Sequence, residues 1–560
     1  MIPGPNVEAA VAATLVVERP AAARRARATH RWQVLATALV ILGLGAVYYA
    51  ARRPILPIDD ATLYVTGAQA LAQGHGYRLI GYVGQPFNTF YPPGYSLFLA
   101  PLFWLPLAFP ANLGLIQLAN LAAYYALLAL GAVVLRCCYH ASTRETVLAL
   151  LLAATTPLAL LMSTAVMSDT LFGVLGLSSV LAASAGWHAS GRRRVGLLAA
   201  AAALATLAYY TRSAGLTLVV ALAVDALWRL RRGAARSEAA LLLLPVALAA
   251  PWSAWSALNG GSGYLRHWLD AAPGWSIGVD SPESLAVVAL GNLIAGAEVL
   301  WTVAPALVHP EILGGAATPL GWLLAGPLYL YAGWQSWRRW RRDGEVVHLF
   351  LLIYLLTQLL WPYRVMGRFL WPLAPLLAWY LVDGARRLWT CLRAHGGRRL
   401  PRLDRPAIAL ILLANGLWLA GATRDAFTTG WVGDATVREE LVTMRRMADF
   451  LTALQPADAP LGTNHLSTTS WWYLYTGRQG VDAVARADAA EPFFVRASLQ
   501  GDPTEIGYFI YQRPNGSPSG GAEDRPVVEA MLAARGASTT PLYCAREDVL
   551  CVYDWRARRP

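Results

Sequence analysis

The sequence predicts a mainly α, polytopic membrane protein of ~11 transmembrane helices with a small C-terminal α/β domain on the exoplasmic side. Three observations carry that reading. Of 560 residues, 56% are hydrophobic and only 14% charged, and the apolar residues fall in long uninterrupted runs, unlike a soluble enzyme. The formal charge of +12 is unevenly spread: from Asp425 onward 13 Arg face 17 Asp and Glu, a balance of −4, which leaves +16 for the rest. That excess is all Arg and sits in short loops between apolar runs, where it sets membrane topology instead of binding nucleic acid. Finally, the tail beyond Asp425 reads as short strands and an amphipathic helix, not as further spans.

Residues 1–31, rich in Ala and Arg, read as a cytoplasmic tail, and Trp32 to Ala51 as a retained signal anchor. Later spans are expected at Leu113 to Leu135, Val147 to Met167, Leu171 to Trp187, Val195 to Tyr210 and Ser213 to Trp228. Further ones are expected at Ala239 to Trp255, Leu320 to Trp337, Val346 to Pro362, Phe369 to Leu381 and Ala407 to Ala422. The Arg clusters at 192–194, 229–236, 338–342 and 386–399 are assigned to the cytoplasm. Alternation then requires that Tyr95 to Phe109, studded with proline, and Leu285 to Val308, interrupted by Glu298 and Pro305, lie in the interface or re-enter from the outer face.

The membrane domain therefore runs over 32–424, with exoplasmic loops at 52–112 and 258–319, and the exoplasmic domain over 425–560. In that domain a helix is expected over Val437 to Leu454, with strands at Pro460 to Thr463, Tyr508 to Tyr511 and Val549 to Tyr553. Residues 515–521 form a flexible loop. Cys137, Cys138 and Cys391 fall on the cytoplasmic side. Cys544 and Cys551 fall outside, where a disulfide is permitted, although their spacing does not require one.

The chemistry concentrates on the outer face. Ile58-Asp59-Asp60-Ala61-Thr62-Leu63-Tyr64 follows the anchor, and its paired carboxylates stand at the interface, where Asp is stable and able to take a proton from a hydroxyl or hold a cation. One of them also fits as the N-cap of a helix from Ala61 to about Ala72 that ends at Gly74 and Gly76; capping does not need both. Tyr91-Pro92-Pro93-Gly94-Tyr95 closes the polar excursion, Asp169 opens a later span, and Arg368 begins an Arg-Phe-Leu-Trp-Pro turn.

In this order and with this shared sidedness, the motifs resemble the GT-C superfamily of membrane glycosyltransferases, nearest the branch of aminoarabinose transferases and protein O-mannosyltransferases. The resemblance covers Trp32 to about Leu388 and, more loosely, the outer domain. It implies a GT-C fold and an inverting transfer of a sugar from a polyprenyl-phosphate carrier to an exoplasmic lipid, glycan or protein acceptor in the plasma membrane. It also implies that Asp59 is the catalytic base, with Asp60 and Asp169 beside it. One carboxylate would deprotonate the acceptor while cations stabilise the departing phosphate, and Arg212 and Arg368, at outer span ends, suit that task. Tyr64 and Tyr91 complete the substrate-binding set. Trp471-Trp472-Tyr473 is similar to an acceptor motif of oligosaccharyltransferases, but lacks the Asp that should follow and reads as an aromatic cluster.

Each residue also has a plainer reading: Asp169 as an N-cap, Arg212 and Arg368 as side chains snorkelling to head groups, His75 as a loop residue. No cofactor is certain from the sequence, and a divalent metal on Asp59 and Asp169 is left open. The rivals to an enzyme are a secondary transporter, which would place its ionisable groups near mid-membrane in repeated halves, and a non-catalytic membrane scaffold.

Overall fold

The computed structural model describes residues 32–57, 60–259, 317–359, 367–396, 404–431, 435–463, 468–482, 506–512, 524–534, 536–546 and 549–556. Asp59, Leu285 to Val308, residues 1–31 and the loop at 515–521 lie outside the described residues.

Helix α1 spans Trp32–Ala50, α2 Asp60–Ala72 and α3 Gly94–Leu99. There follow α4 Leu113–Cys137, α5 Thr143–Ala154, α6 Pro157–Met162, α7 Ser168–His188, α8 Gly191–Thr211, α9 Leu216–Arg231 and α10 Arg236–Leu258. Beyond the long loop come α11 Ala317–Asp343, α12 Val346–Leu359, α13 Gly367–Leu370, α14 Ala374–Gly396 and α15 Asp404–Thr429. Among the described residues six helices are long and apolar enough to cross a membrane, namely α1, α4, α7, α8, α10 and α9 with the single 3₁₀ turn before it. The chain is an integral membrane protein.

One departure from the expected spans has a simple cause. Val147 to Met167 is not one helix. Pro157 opens α6, and Thr156 caps it by accepting a hydrogen bond from the Ala159 N–H at 3.2 Å, so α5 ends at Ala154. The Tyr95 to Phe109 stretch, expected not to span, makes α3 and a 3₁₀ turn over Ala100–Phe103, both too short to cross, and leaves Trp104, Leu105 and Leu107 exposed.

Charge separates the two ends of the bundle. At one end Arg194 meets Glu238 at 3.1 Å, His188 meets Glu345 at 2.9 Å and Arg386 meets Glu145, which ties helix ends together, while Arg229 meets Asp225 at 2.9 Å within α9. The other end carries the start of α7 and the end of α8. It is covered by the C-terminal domain.

That domain consists of α16 Ala435–Ala453, α17 Thr469–Thr476, α18 Asp524–Ala534 and a five-stranded sheet. Its strands are β1 Leu461–Thr463, β2 Gly480–Asp482, β3 Tyr508–Gln512, β4 Tyr543–Arg546 and β5 Leu550–Asp554, ordered β2-β1-β3-β5-β4. β1 runs parallel to β2 and β3, while β5 is antiparallel to β3 and β4. Cys544 and Cys551 face each other across β4 and β5 and are disulfide-bonded. The loop between α2 and α3 extends this sheet: the Val83 N–H donates to the Gly480 carbonyl at 3.0 Å, and the Gly480 N–H to that of Gly81 at 2.9 Å.

Candidate active site

Six of the seven residues singled out in the sequence meet at the covered end of the bundle; the seventh, Asp59, immediately precedes α2. Asp60 stands in the first turn of α2 with both carboxylate oxygens engaged. Oδ1 accepts the Tyr91 hydroxyl at 2.5 Å, and Oδ2 lies 2.9 Å from Arg368 Nη2. Arg368 also donates to Met167 Sδ at 3.4 Å, so its guanidinium is held from two elements.

Asp169 lies in the first turn of α7. The N-cap position belongs to Met167, which makes no side-chain cap, and the Asp169 carboxylate turns instead to Arg212, with Oδ2 at 3.0 Å from Nη1. This displaces the capping reading. Arg212 donates to Ser168 Oγ as well, at 3.2 Å, and Ser168 shares a 2.9 Å hydrogen bond with the Tyr64 hydroxyl. Snorkelling is excluded too, because Arg212 is 9% exposed and points inward. Both guanidiniums lie 5.3 Å from the ring centre of Phe369, which separates the two ion pairs.

Local sequence explains why these groups converge. Tyr64, Tyr91 and Tyr95 form an aromatic cluster, Tyr91 tilted against Tyr64 at 5.0 Å between ring centres and Tyr95 edge-to-face with it at 4.9 Å, and so bind the proline turn to α2. The glycine of that turn is required by space: a Cβ at Gly94 would come within 2.6 Å of the Tyr210 carbonyl oxygen, so only glycine lets the turn press on the end of α8 that carries Arg212. The Trp371 indole donates to Thr170 Oγ1 at 3.0 Å and fixes the Arg368 turn against α7.

Sequence reasoning missed Ser168 and the clamp supplied by the C-terminal domain. Trp471 donates to the Leu56 carbonyl at 2.8 Å and the Leu56 N–H donates to the Tyr475 hydroxyl at 2.9 Å, which anchors the chain three residues before Asp59. Burial pushes the Tyr475 phenol up to about 12, and it stays neutral. The Trp-Trp-Tyr run was the available signal for this clamp: Trp471 and Trp472 are fully buried, in keeping with an aromatic cluster.

Beside Arg368 lies an apolar slot of ≈ 300 Å³, walled by α6 side chains such as Leu158, Leu161 and Met162, by Leu56 and Ala61, and by Arg52 and Arg53. A metal does not fit the described part of the site. Among the described residues no three His, Cys, Asp or Glu converge, and each of the two carboxylates present already has a guanidinium against it.

A helical membrane bundle with acids and arginines joined at one end beneath an α/β domain has the fold of the GT-C membrane glycosyltransferases, as the ordered motifs imply. Among solved structures, ArnT from Cupriavidus metallidurans bound to undecaprenyl phosphate aligns over 94% of this chain and 98% of its own, at 14% identity and a TM-score of 0.54. Its apo form aligns over the same shares at 16% identity and 0.52. The oligosaccharyltransferase AglB from Archaeoglobus fulgidus, in complex with an inhibitory peptide and a dolichol-phosphate, aligns over 90% of this chain and 72% of its own, at 14% identity and 0.50. Neither a protein-family model nor a curated protein matches the sequence.

Proposed function

We propose that the chain is an inverting membrane glycosyltransferase that moves a sugar from a polyprenyl-phosphate carrier to a lipid, glycan or protein acceptor at the exoplasmic surface of the plasma membrane. The observation that carries this reading is the pair of carboxylate–guanidinium contacts, Asp60 with Arg368 and Asp169 with Arg212, held side by side next to an apolar slot. An isoprenoid chain suits the slot, and a phosphate at its end would meet Arg368. Structural neighbours bound to undecaprenyl phosphate and dolichol-phosphate support the same carrier class.

Both Asp60 oxygens already accept hydrogen bonds, so its task is to aim Arg368. Asp59 is the base. Its carboxylate takes the acceptor's proton, and the acceptor oxygen attacks the anomeric carbon from the side opposite the phosphate. The bond from that carbon to the phosphate oxygen breaks, and the polyprenyl phosphate leaves with its negative charge facing Arg368, backed by Arg212. No step is routed through a metal. Tyr64 and Tyr91 keep both ion pairs in register through Ser168 and Asp60.

The disulfide between Cys544 and Cys551 supports an oxidising, exoplasmic setting for the domain above the site, and the Arg-rich turns at the opposite end support a cytoplasmic one there. The test is to incubate purified protein with a panel of polyprenyl-phosphate sugars and follow release of the carrier. Carrier release from at least one member, dependent on acceptor, is the expected result; none across the panel would refute the donor class.

A further inference from the structure

The end of the bundle away from the candidate active site holds a second site. There the C-terminal turns of α11 and Arg387 of α14 surround a cavity of ≈ 600 Å³. Since α7 has 21 residues, this end lies roughly 30 Å from Asp169 by helical rise. The α11 run brings Arg338, Arg339, Arg341 and Arg342 to the cavity wall. Arg342 is paired with Asp343, and Arg387 with Asp383. Among the described residues Arg338, Arg339 and Arg341 have no acidic partner, which leaves three positive charges uncompensated around one opening.

Two further observations point to a ligand. Gln335, only 9% exposed, lines the cavity and makes no side-chain hydrogen bond to the described residues. Arg339 is fixed in place, its guanidinium 4.7 Å from the Trp379 ring centre and 5.7 Å from that of Tyr139, yet its buried Nε has no hydrogen-bond partner. A preorganised cation with a buried, unpartnered Nε, beside an amide that has no partner among the described residues, suits an anion with several oxygens.

The surroundings identify the source of that anion. Leu330, Trp334 and Trp337 are 58%, 59% and 38% exposed and follow one another at helical spacing on the face that continues to Arg338 and Arg341. An apolar strip running into a cluster of guanidiniums is of no use to free phosphate. It fits acyl chains below a head group, with tryptophans at the membrane boundary. We propose that this pocket binds the phosphate head group of an anionic phospholipid in the leaflet opposite the candidate active site.

The test uses delipidated full-length protein in neutral detergent, with binding followed by native mass spectrometry. The probes are dioleoylphosphatidylglycerol, dioleoylphosphatidylcholine and inorganic phosphate. Phosphatidylglycerol is expected to bind about tenfold or more tightly than phosphatidylcholine, and Arg338→Gln/Arg341→Gln to weaken it about tenfold, as loss of charge-assisted hydrogen bonds requires. Both residues are exposed, so the variant keeps its fold, which its melting temperature verifies. Gln335→Leu, which leaves the charge intact, should weaken the same lipid about threefold. Arg192→Gln/Arg193→Gln, on exposed arginines at the same end, should change it less than twofold. Equal losses in the two double variants would reduce the effect to general surface charge and overturn the proposal. So would inorganic phosphate competing as well as the lipid, or no preference for the anionic head group.

Discussion

Replacing Arg368 by Gln separates a phosphate-binding role from a structural one. The guanidinium is held by Asp60 at 2.9 Å and by Met167 at 3.4 Å at the mouth of the apolar slot. Substitution should take away one charge-assisted contact to the donor phosphate, worth about 1.5–3 kcal/mol, or a 10- to 150-fold loss of affinity. The Asp60–Arg368 pair is about four-fifths buried, so breaking it costs some stability, moderated by the Tyr91 hydroxyl that stays on Asp60 and by the solvent that reaches both groups. Stability should therefore fall only modestly while affinity falls by that factor. Arg368→Lys restores the charge without the planar fork and should recover only part of the loss. Asp60→Asn leaves the cation but loosens its aim, and should be milder than Arg368→Gln, about two- to fivefold by the worth of a partly exposed pair. Titrating polyprenyl phosphate into each variant by calorimetry, with thermal melts alongside, measures both quantities. A dissociation constant for Arg368→Gln within twofold of wild type would refute the assignment.

Asp59→Asn should leave melting unchanged and lower sugar transfer per mole of folded protein by about 100- to 10,000-fold, the usual cost of losing a general base; near-normal turnover would remove Asp59 from that role. Asp169→Asn is expected to be intermediate in the same assay. Arg212→Gln should instead destabilise the protein by about 3–5 kcal/mol, because it strands the fully buried Asp169 carboxylate, and Asp169→Asn/Arg212→Gln should recover part of that in thermal melts. Single cysteines introduced near Arg193 and Arg339 should react with an impermeant maleimide only after the membrane is opened, and one on the C-terminal domain should react in intact cells; the reverse pattern would invert the proposed topology.

The sequence alone was enough to determine that this is a helical membrane protein. Twenty consecutive apolar residues have few stable settings other than a bilayer, and an Arg excess confined to short turns orders the loops whatever the packing. Asp60, Asp169, Tyr64, Tyr91, Arg212 and Arg368 were legible as candidates for a similar reason: a polar group at the edge of an apolar run is costly unless something holds it. Which group holds which was decided only by the tertiary structure. Asp169 and Arg212 are 43 residues apart, and Asp60 and Arg368 lie on different helices; these separations are closed by packing of the Gly94 turn on α8 and of Trp371 on α7. The break between α5 and α6 depends on one threonine cap and one proline inside an otherwise span-like run, a local signal that hydropathy averages away. The grip of Trp471 and Tyr475 on Leu56 joins positions more than 400 residues apart. Such contacts leave no periodic trace in a single sequence, because side chains distant along the chain become neighbours only when the whole bundle and its cap have folded.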